Sequence, residues 1–265
     1  CIGMLKRKGC AMRVLFIGDI VGPGSVGAVE KILPALRRDE NIGFVIANGE
    51  NAAENNGITP DIAERLRYCG VDVITTGNHA FRQKSSYGLF DDGGYIVRPA
   101  NFPPEDPGMG YMKTDTPDGK VAVVNLSGKL YCDADENPFF TADRLLPSLS
   151  DCDFVFVDFH AEATSEKKAL GFYLDGKVSA VFGTHTHVQT SDCRILPKGT
   201  GYITDVGMVG GKDSVLGIKA ADAIKKFTTK TPVRYNQDTE KILFQSVLFD
   251  TETKEIKTVN IQTGE

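Results

Sequence analysis

Val178–His187 reads VSAVFGTHTH: an apolar, β-branched run closes on a glycine, and two histidines come after it in alternate positions. A continuous run of this length, with no polar alternation, is the mark of a strand covered on both faces. Five further runs carry the same mark: Arg13–Gly18 (RVLFIG), Gly43–Asn48 (GFVIAN), Val71–Thr76 (VDVITT), Val121–Leu126 (VAVVNL) and Asp153–Asp158 (DFVFVD). Strands buried on both sides require layers outside them, and helical patterns alternate with them in the chain. The expected class is therefore α/β, with helices outside the sheet.

Two of the intervening helices are readable. Ser25–Arg38 sets Val26, Val29, Ile32, Leu33 and Leu36 on one side, with Pro34 expected to kink or shorten it. Thr59–Cys69 has Thr59 at the N-cap, Pro60 in the first turn and Gly70 past the end. Arg98–Gly110 (RPANFPPEDPGMG) is a loop rather than a linker, since strand patterning resumes directly after it. Lys241–Ile261 alternates apolar and polar residues and predicts an antiparallel hairpin finishing a sheet. Residues 1–11 are expected to be an extension, with residues 12–265 a single domain.

Composition narrows the function classes. A chain of 265 residues can bury a full core, and a net charge of −5 disfavours a broad basic footprint for duplex nucleic acid. It leaves room for a small anionic substrate, because bound cations can reverse the sign locally. No apolar run nears the roughly 18 residues of a membrane helix, and CIGMLKRKGCAM at the start lacks the apolar centre of a secretory leader. The six cysteines are scattered, with no CxxC pair, which fits a reducing compartment; a cytoplasmic location and no membrane partner are expected.

The chemistry lies in the residues at the end of each run. The first ends in Gly18-Asp19, the second in Gly49-Glu50-Asn51, the third in Gly77-Asn78-His79, the fifth in Asp158-Phe159-His160, and the sixth in Gly183-Thr184-His185-Thr186-His187. In an open α/β sheet the site lies beyond the carboxyl ends of the strands. Alone, Asp19 reads as a turn or cap, and Glu50-Asn51 or Asn78-His79 as loop residues. Together they place all four histidines of the chain at these edges. Oxygen from Asp19, Glu50, Asn51 and Asn78, with nitrogen from His160, His185 and His187, suits Mn, Fe, Zn or similar ions. So many candidates suit two ions sharing a bridging carboxylate, about 3.5–4 Å apart as in two-metal hydrolases. His185 and His187, two apart in an extended segment, would point to one face. His79 is left over as a candidate for proton transfer.

GDIVG, NGENAA, TTGNHAF, RPANFP, DFHAEATSEK, GTHTHVQT and ILPKGTGYITDVGM together resemble the YmdB-like branch of the calcineurin-like metallophosphoesterases, from Met12 to about Asp250. The resemblance implies a four-layer α/β/β/α sandwich with a di-metal centre, often iron or manganese. It also implies hydrolysis of phosphodiesters, 2',3'-cyclic nucleotides among them. Carried over by motif, Asp19, Glu50, Asn51 and His187 bind the first metal; Glu50 bridges to a second held by Asn78, His160 and His185; His79 donates a proton to the leaving oxygen. The cations would lower the pKa of a shared water, making hydroxide the nucleophile. The chain departs from the branch in two places. Ala80-Phe81-Arg82 stands after GNH where Thr-Trp-Asp is usual, and the loop after Asp19 is one residue short, with Ser25 where Arg is common. Both bear on substrate preference.

Two other functions fit the same residues: a phosphomonoesterase or nucleotidase, and a regulatory protein that binds RNA through its metal-filled pocket. A homo-oligomer is expected, although no residue pattern derives it. Around the centre, Arg98, Asn101 and Lys129 are candidates for a phosphate or base, or for solvated and capping roles. Glu162 and Thr164 are expected to buttress His160. Phe139 and Phe140 are expected in the core rather than on a nucleobase, and Gly22-Pro23-Gly24 is expected to be a turn rather than an anion site.

Overall fold

The computed structural model describes residues 11–92, 94–132 and 134–263; apart from residue 11, the expected N-terminal extension lies outside them. The chain runs β1 (Arg13–Ile17), β2 (Asp19–Ile20), α1 (Gly22–Asp39), β3 (Phe44–Asn48), α2 (Pro60–Tyr68), β4 (Val73–Thr75), α3 (Tyr87–Asp92) and β5 (Ile96–Val97). It continues through β6 (Tyr111–Thr116), β7 (Gly119–Ser127), α4 (Pro138–Leu145), β8 (Phe154–His160), α5 (Thr164–Leu174), β9 (Ala180–Thr184), β10 (Arg194–Ile195) and β11 (Gly201–Ile203). β12 (Met208–Gly211), β13 (Ser214–Val215), β14 (Ile218–Lys219), α6 (Ala220–Thr228), β15 (Ile242–Asp250) and β16 (Ile256–Gln262) complete it.

The fold is mixed α/β. One sheet is ordered β2-β12-β15-β1-β3-β4-β5, with β16 on β15, and a second is ordered β10-β11-β9-β8-β7-β6. β1, β3, β4 and β5 are mutually parallel, and so are β7, β8, β9 and β11. β15 and β16 form the antiparallel pair expected at the C-terminal end.

The unbroken apolar runs are explained by where alternate residues go. On β1, Leu15 and Ile17 join a cluster with Val26, Val29 and Leu33 of α1 and Ile62 and Leu66 of α2. Val14 and Phe16 join another, which unites both sheets through Phe44, Ile46, Val121, Val123, Phe156, Phe182 and Phe249. The second sheet sends Val124, Val157, Phe159 and Val181 to a third, with Ala142 of α4 and Leu170 of α5. A strand serving two cores has no polar face to alternate with.

Thr59 caps α2 as expected, its hydroxyl accepting from the Ile62 amide at 3.4 Å. Gly70 comes next in the left-handed region at φ +114°, which a side chain would resist. Pro34 does not shorten α1, which runs from Gly22 to Asp39 with the proline inside it. Burial of Val26, Val29 and Leu33 against the first sheet holds the helix across the missing hydrogen bond. Gly22-Pro23-Gly24 is the first turn of that helix rather than a separate turn before it.

Phe182 is fully buried and stacks on Phe16 with centroids 4.7 Å apart, one ring from each sheet. Phe182→Ala should lower the unfolding free energy by about 3–5 kcal/mol, read as a shift of the urea midpoint at unchanged slope.

Candidate metal centre

Rows of side chains that are apolar deep in the shared core turn polar at the carboxyl end. Phe44 and Ile46 are succeeded on the same face of β3 by Asn48, Val121 and Val123 on β7 by Asn125, Phe156 on β8 by Asp158 and His160, and Phe182 on β9 by Thr184. These buried polar groups bond to one another. Asn48 Nδ2 donates to Asp158 Oδ2 at 3.0 Å and so bridges the sheets, and the Thr184 hydroxyl donates to Asp158 Oδ1 at 2.7 Å. Asn125 Oδ1 accepts from the Thr76 amide at 3.1 Å, fixing the end of β4. Burial raises the Asp158 carboxyl to about 6.

This network sets the tautomer of His160. Thr184 Oγ1 spends its proton on Asp158 and lies 3.0 Å from His160 Nδ1, so Nδ1 is the donor there. His160 Nε2 is thereby turned to the site, 3.0 Å from Asn78 Oδ1, 3.0 Å from His185 Nδ1 and 3.2 Å from Glu50 Oε1. His185 is fixed in the same manner from its far side, where Nε2 lies 3.1 Å from Glu162 Oε2. Glu162 therefore supports His185, not His160 as expected, and Thr164 opens α5.

The two facing nitrogens, His160 Nε2 and His185 Nδ1, cannot both present lone pairs at 3.0 Å unless a proton or a cation lies between them. Burial of His185 and the neighbouring His160 drive its pKa down to about 3, so it stays neutral and keeps a lone pair to offer. Burial opposes charge on His160 too, yet the Glu50 carboxylate overcomes it and raises that ring to about 9. Burial would raise Glu50; the charge and hydrogen bond of His160, with those of His79, hold it well below the usual range instead. Glu50, His160 and His185 each place a ligand atom within 4.8 Å of the others. An anionic oxygen and two convergent nitrogens are the donor set of a divalent transition metal.

A second group adjoins the first. His187 Nδ1 lies 3.2 Å from the Leu216 carbonyl and donates to it, leaving Nε2 to face Asn51 Nδ2 at 3.2 Å and Asp19 Oδ1 at 3.7 Å. Asp19 is fully buried, its Oδ2 accepting from the His185 amide at 3.1 Å, while Oδ1 has no hydrogen-bond partner. Burial raises the Asp19 pKa, with His187 and His160 opposing. A buried carboxylate oxygen without a donor beside an imidazole lone pair is a position that a cation would satisfy. Asn51 turns Nδ2 to Glu50 Oε1 at 3.0 Å and its oxygen to His79 Nδ1, also at 3.0 Å.

Asp19, Glu50, Asn51, Asn78, His79, His160, His185 and His187 thus meet, but other readings from the sequence change. His185 and His187 do not lie in an extended segment: their φ angles are +99° and +61°. The loop is held in that conformation from outside, since Asp205 Oδ2 accepts from the Thr186 amide at 3.1 Å and from the buried Lys167 ammonium at 2.6 Å. Asn101, Lys129 and Arg98 serve the backbone. Asn101 clamps Ser127 from both sides, Lys129 Nζ donates to the carbonyls of Ala134 and Asp135, and Arg98 donates to that of Pro99. Phe139 packs edge-on against Tyr173, whereas Phe140 is 72% exposed and not in the core. Ser25 is buried and bonds the Val21 carbonyl, so the departure there acts on α1.

The spacing i, i+2 in Asp158-Phe159-His160 is a signal that could have revealed Asp158, since both side chains share one face of β8. Nothing local announces Asn48, Thr184, Asp205 or the Leu216 carbonyl. The centre opens into a cavity of about 560 Å³, lined among others by Glu50, Asn51, His79, Arg82, His185, His187 and Tyr235.

Comparison with known proteins gives the class: a metal-dependent phosphoesterase. The chain belongs to the YmdB-like protein family, whose model matches residues 15–263. A 2',3'-cyclic-nucleotide 2'-phosphodiesterase of Bacillus subtilis (strain 168) is 45% identical over 252 residues, covering 95% of this chain and 96% of that one. A crystal structure of a hypothetical protein from Thermus thermophilus has a TM-score of 0.89 at 40% identity and covers 95% of this chain and 99% of that one. A phosphatase crystal structure from Mycoplasma pneumoniae has a TM-score of 0.87 at 34% identity, covering 95% and 93%.

Gly77 makes the close approach possible: a Cβ there would lie 2.3 Å from His160 Nε2 and 2.4 Å from Glu50 Oε2. Gly77→Ala should keep the far-ultraviolet circular dichroism of the parent yet lose bound transition metal, measured by inductively coupled plasma mass spectrometry.

Proposed function

We propose that this chain hydrolyses small phosphodiesters, 2',3'-cyclic nucleotides among them, at a two-metal centre built on Asp19, Glu50, Asn51, Asn78, His160, His185 and His187. The observation that carries the reading is the meeting of His160 Nε2 and His185 Nδ1 at 3.0 Å beside the Glu50 carboxylate. Asp19, Glu50, Asn51 and His187 would hold one ion; Glu50, Asn78, His160 and His185 would hold the other, probed as iron or manganese. The three apolar clusters would be the interlayer cores of a four-layer α/β/β/α sandwich, one domain from Met12 onward.

When bound, such cations neutralise phosphoryl charge and lower the pKa of a shared water. The remaining work falls to side chains. Glu50 lies between the two groups, 3.2 Å from both His160 Nε2 and His79 Nδ1. His79 Nδ1 faces two acceptors, Glu50 Oε1 and Asn51 Oδ1, and donates to them. Nε2, which accepts from Asn56 Nδ2 at 3.4 Å, is then the nitrogen left to take up a second proton and pass it to the leaving ribose oxygen, once Asn56 gives way to substrate. The Bacillus relative is named for the diester reaction, which supports the diesterase reading over the monoesterase one.

His79→Ala should retain metal and lower kcat on a 2',3'-cyclic nucleotide by about 10²–10⁴-fold. Glu50→Ala and His187→Ala should lose metal and turnover together, and full activity in either would remove the assignment. A panel of 2',3'-cyclic AMP, bis-p-nitrophenyl phosphate and p-nitrophenyl phosphate, run with the metal analysis, should show the diesters turned over faster. Preference for the monoester would favour a phosphomonoesterase. Binding of RNA without turnover of any substrate would favour the regulatory alternative.

A further inference from the structure

We propose that Arg82 binds a second phosphate, one nucleotide away from the reacting one, so that the preferred substrate is an RNA end carrying a 2',3'-cyclic phosphate rather than a free mononucleotide. The inference rests on the diesterase reading above. Arg82 stands in the turn that also carries His79, its amide donating to the His79 carbonyl at 3.0 Å, and both residues line the one cavity. A turn of this kind keeps the two Cα atoms within about 7 Å. The stem of Arg82 is held in place. Gly57 packs so closely that a Cβ there would be 3.0 Å from Arg82 Cβ, and Gln83 Nε2 ties the turn to the Asn56 carbonyl at 2.7 Å. Phe81 anchors the same turn against Phe90, with ring centroids 5.3 Å apart.

The head group, by contrast, has nothing to hold. Most arginines of the described residues are engaged: Arg65 with Glu30, Arg37 with Asp72, Arg144 with Glu136, and Arg67 over the Tyr95 ring. Arg82 makes no ion pair and no side-chain hydrogen bond among the described residues, although its cavity contains the carboxylates Glu50 and Glu162. Those two are taken by His160 and His79 and by His185. A guanidinium offers a planar fork matched to a phosphate and is the bidentate choice where one must be recognised. The rest of the wall fits a nucleoside: Val21, Leu216, Ile218 and Tyr235 form its apolar part. A mononucleotide 2',3'-cyclic phosphate brings one phosphate, which the metal ligands would engage. Only a substrate with a phosphate on its 5' side reaches a second cation.

The test compares wild type, Arg82→Ala and Arg82→Lys, manganese-loaded, on 2',3'-cyclic AMP and on a trinucleotide ending in a 2',3'-cyclic phosphate. Arg82→Ala should lower kcat/KM on the trinucleotide at least tenfold more than on 2',3'-cyclic AMP, through KM, and reduce its salt dependence. Lys should recover part of the loss, because it keeps the charge and not the fork. Equal effects on the two substrates overturn the proposal. Calorimetry adds a readout that needs no turnover: adenosine 3',5'-bisphosphate should bind wild type more tightly than 3'-AMP, and Arg82→Ala should remove the difference. If wild type cleaves neither cyclic substrate, the diesterase reading fails, and the calorimetry alone decides on Arg82. A bisphosphate advantage lost in the variant sustains it; none in the wild type ends it.

Discussion

The contact on which the centre depends is that of Asp158 with Asn48 and Thr184, 3.0 and 2.7 Å long, buried where the two sheets share a core. It bridges one sheet to the other and, through the Thr184 hydroxyl, dictates which nitrogen of His160 points at the site. A buried carboxyl with raised pKa costs free energy, and these hydrogen bonds offset the cost only in one geometry. The ordering of the imidazole is thus secured one layer behind the cluster of Glu50, His160 and His185, the arrangement that metal sites generally use.

The other half of the centre is held by backbone strain met with counter-contacts. Two histidines in the left-handed region, in a loop just past β9, would be an unstable local choice. Lys167 and Asp205, a fully buried ion pair, take up the Thr184 carbonyl and the Thr186 amide on the two sides of His185. Asp19 takes the His185 amide itself. The same carboxylate that faces His187 therefore also positions the histidine of the neighbouring group, which couples the two groups of side chains mechanically.

The two stretches expected to bear on substrate preference differ in where they lie. Ser25 is buried and donates to the carbonyl of Val21, just before α1. Ala80-Phe81-Arg82 reshapes a wall: Ala80 is buried, Phe81 joins an aromatic cluster with Tyr87 and Phe90, and Arg82 stays exposed on the cavity.

Much of this was written locally. Runs such as VSAVFG and RVLFIG determined strands covered on both faces, because no polar alternation is possible for a residue row that enters two cores. Asp19, Glu50, Asn51, Asn78, His79, His160, His185 and His187 could be chosen because strand ends converge in α/β sheets. Other features had no local trace. The length of α1 through Pro34, the left-handed turn of THTH, the partnership of Glu162 with His185, and the backbone duties of Asn101 and Lys129 depend on atoms distant in the chain. The sequence by itself determined which donors stand at which strand ends, since period and punctuation are properties of neighbouring residues. Only the tertiary structure decided which lone pairs face each other and which nitrogen bears the proton, because those are set by Asp158, Asp205 and the Leu216 carbonyl arriving from other strands and loops.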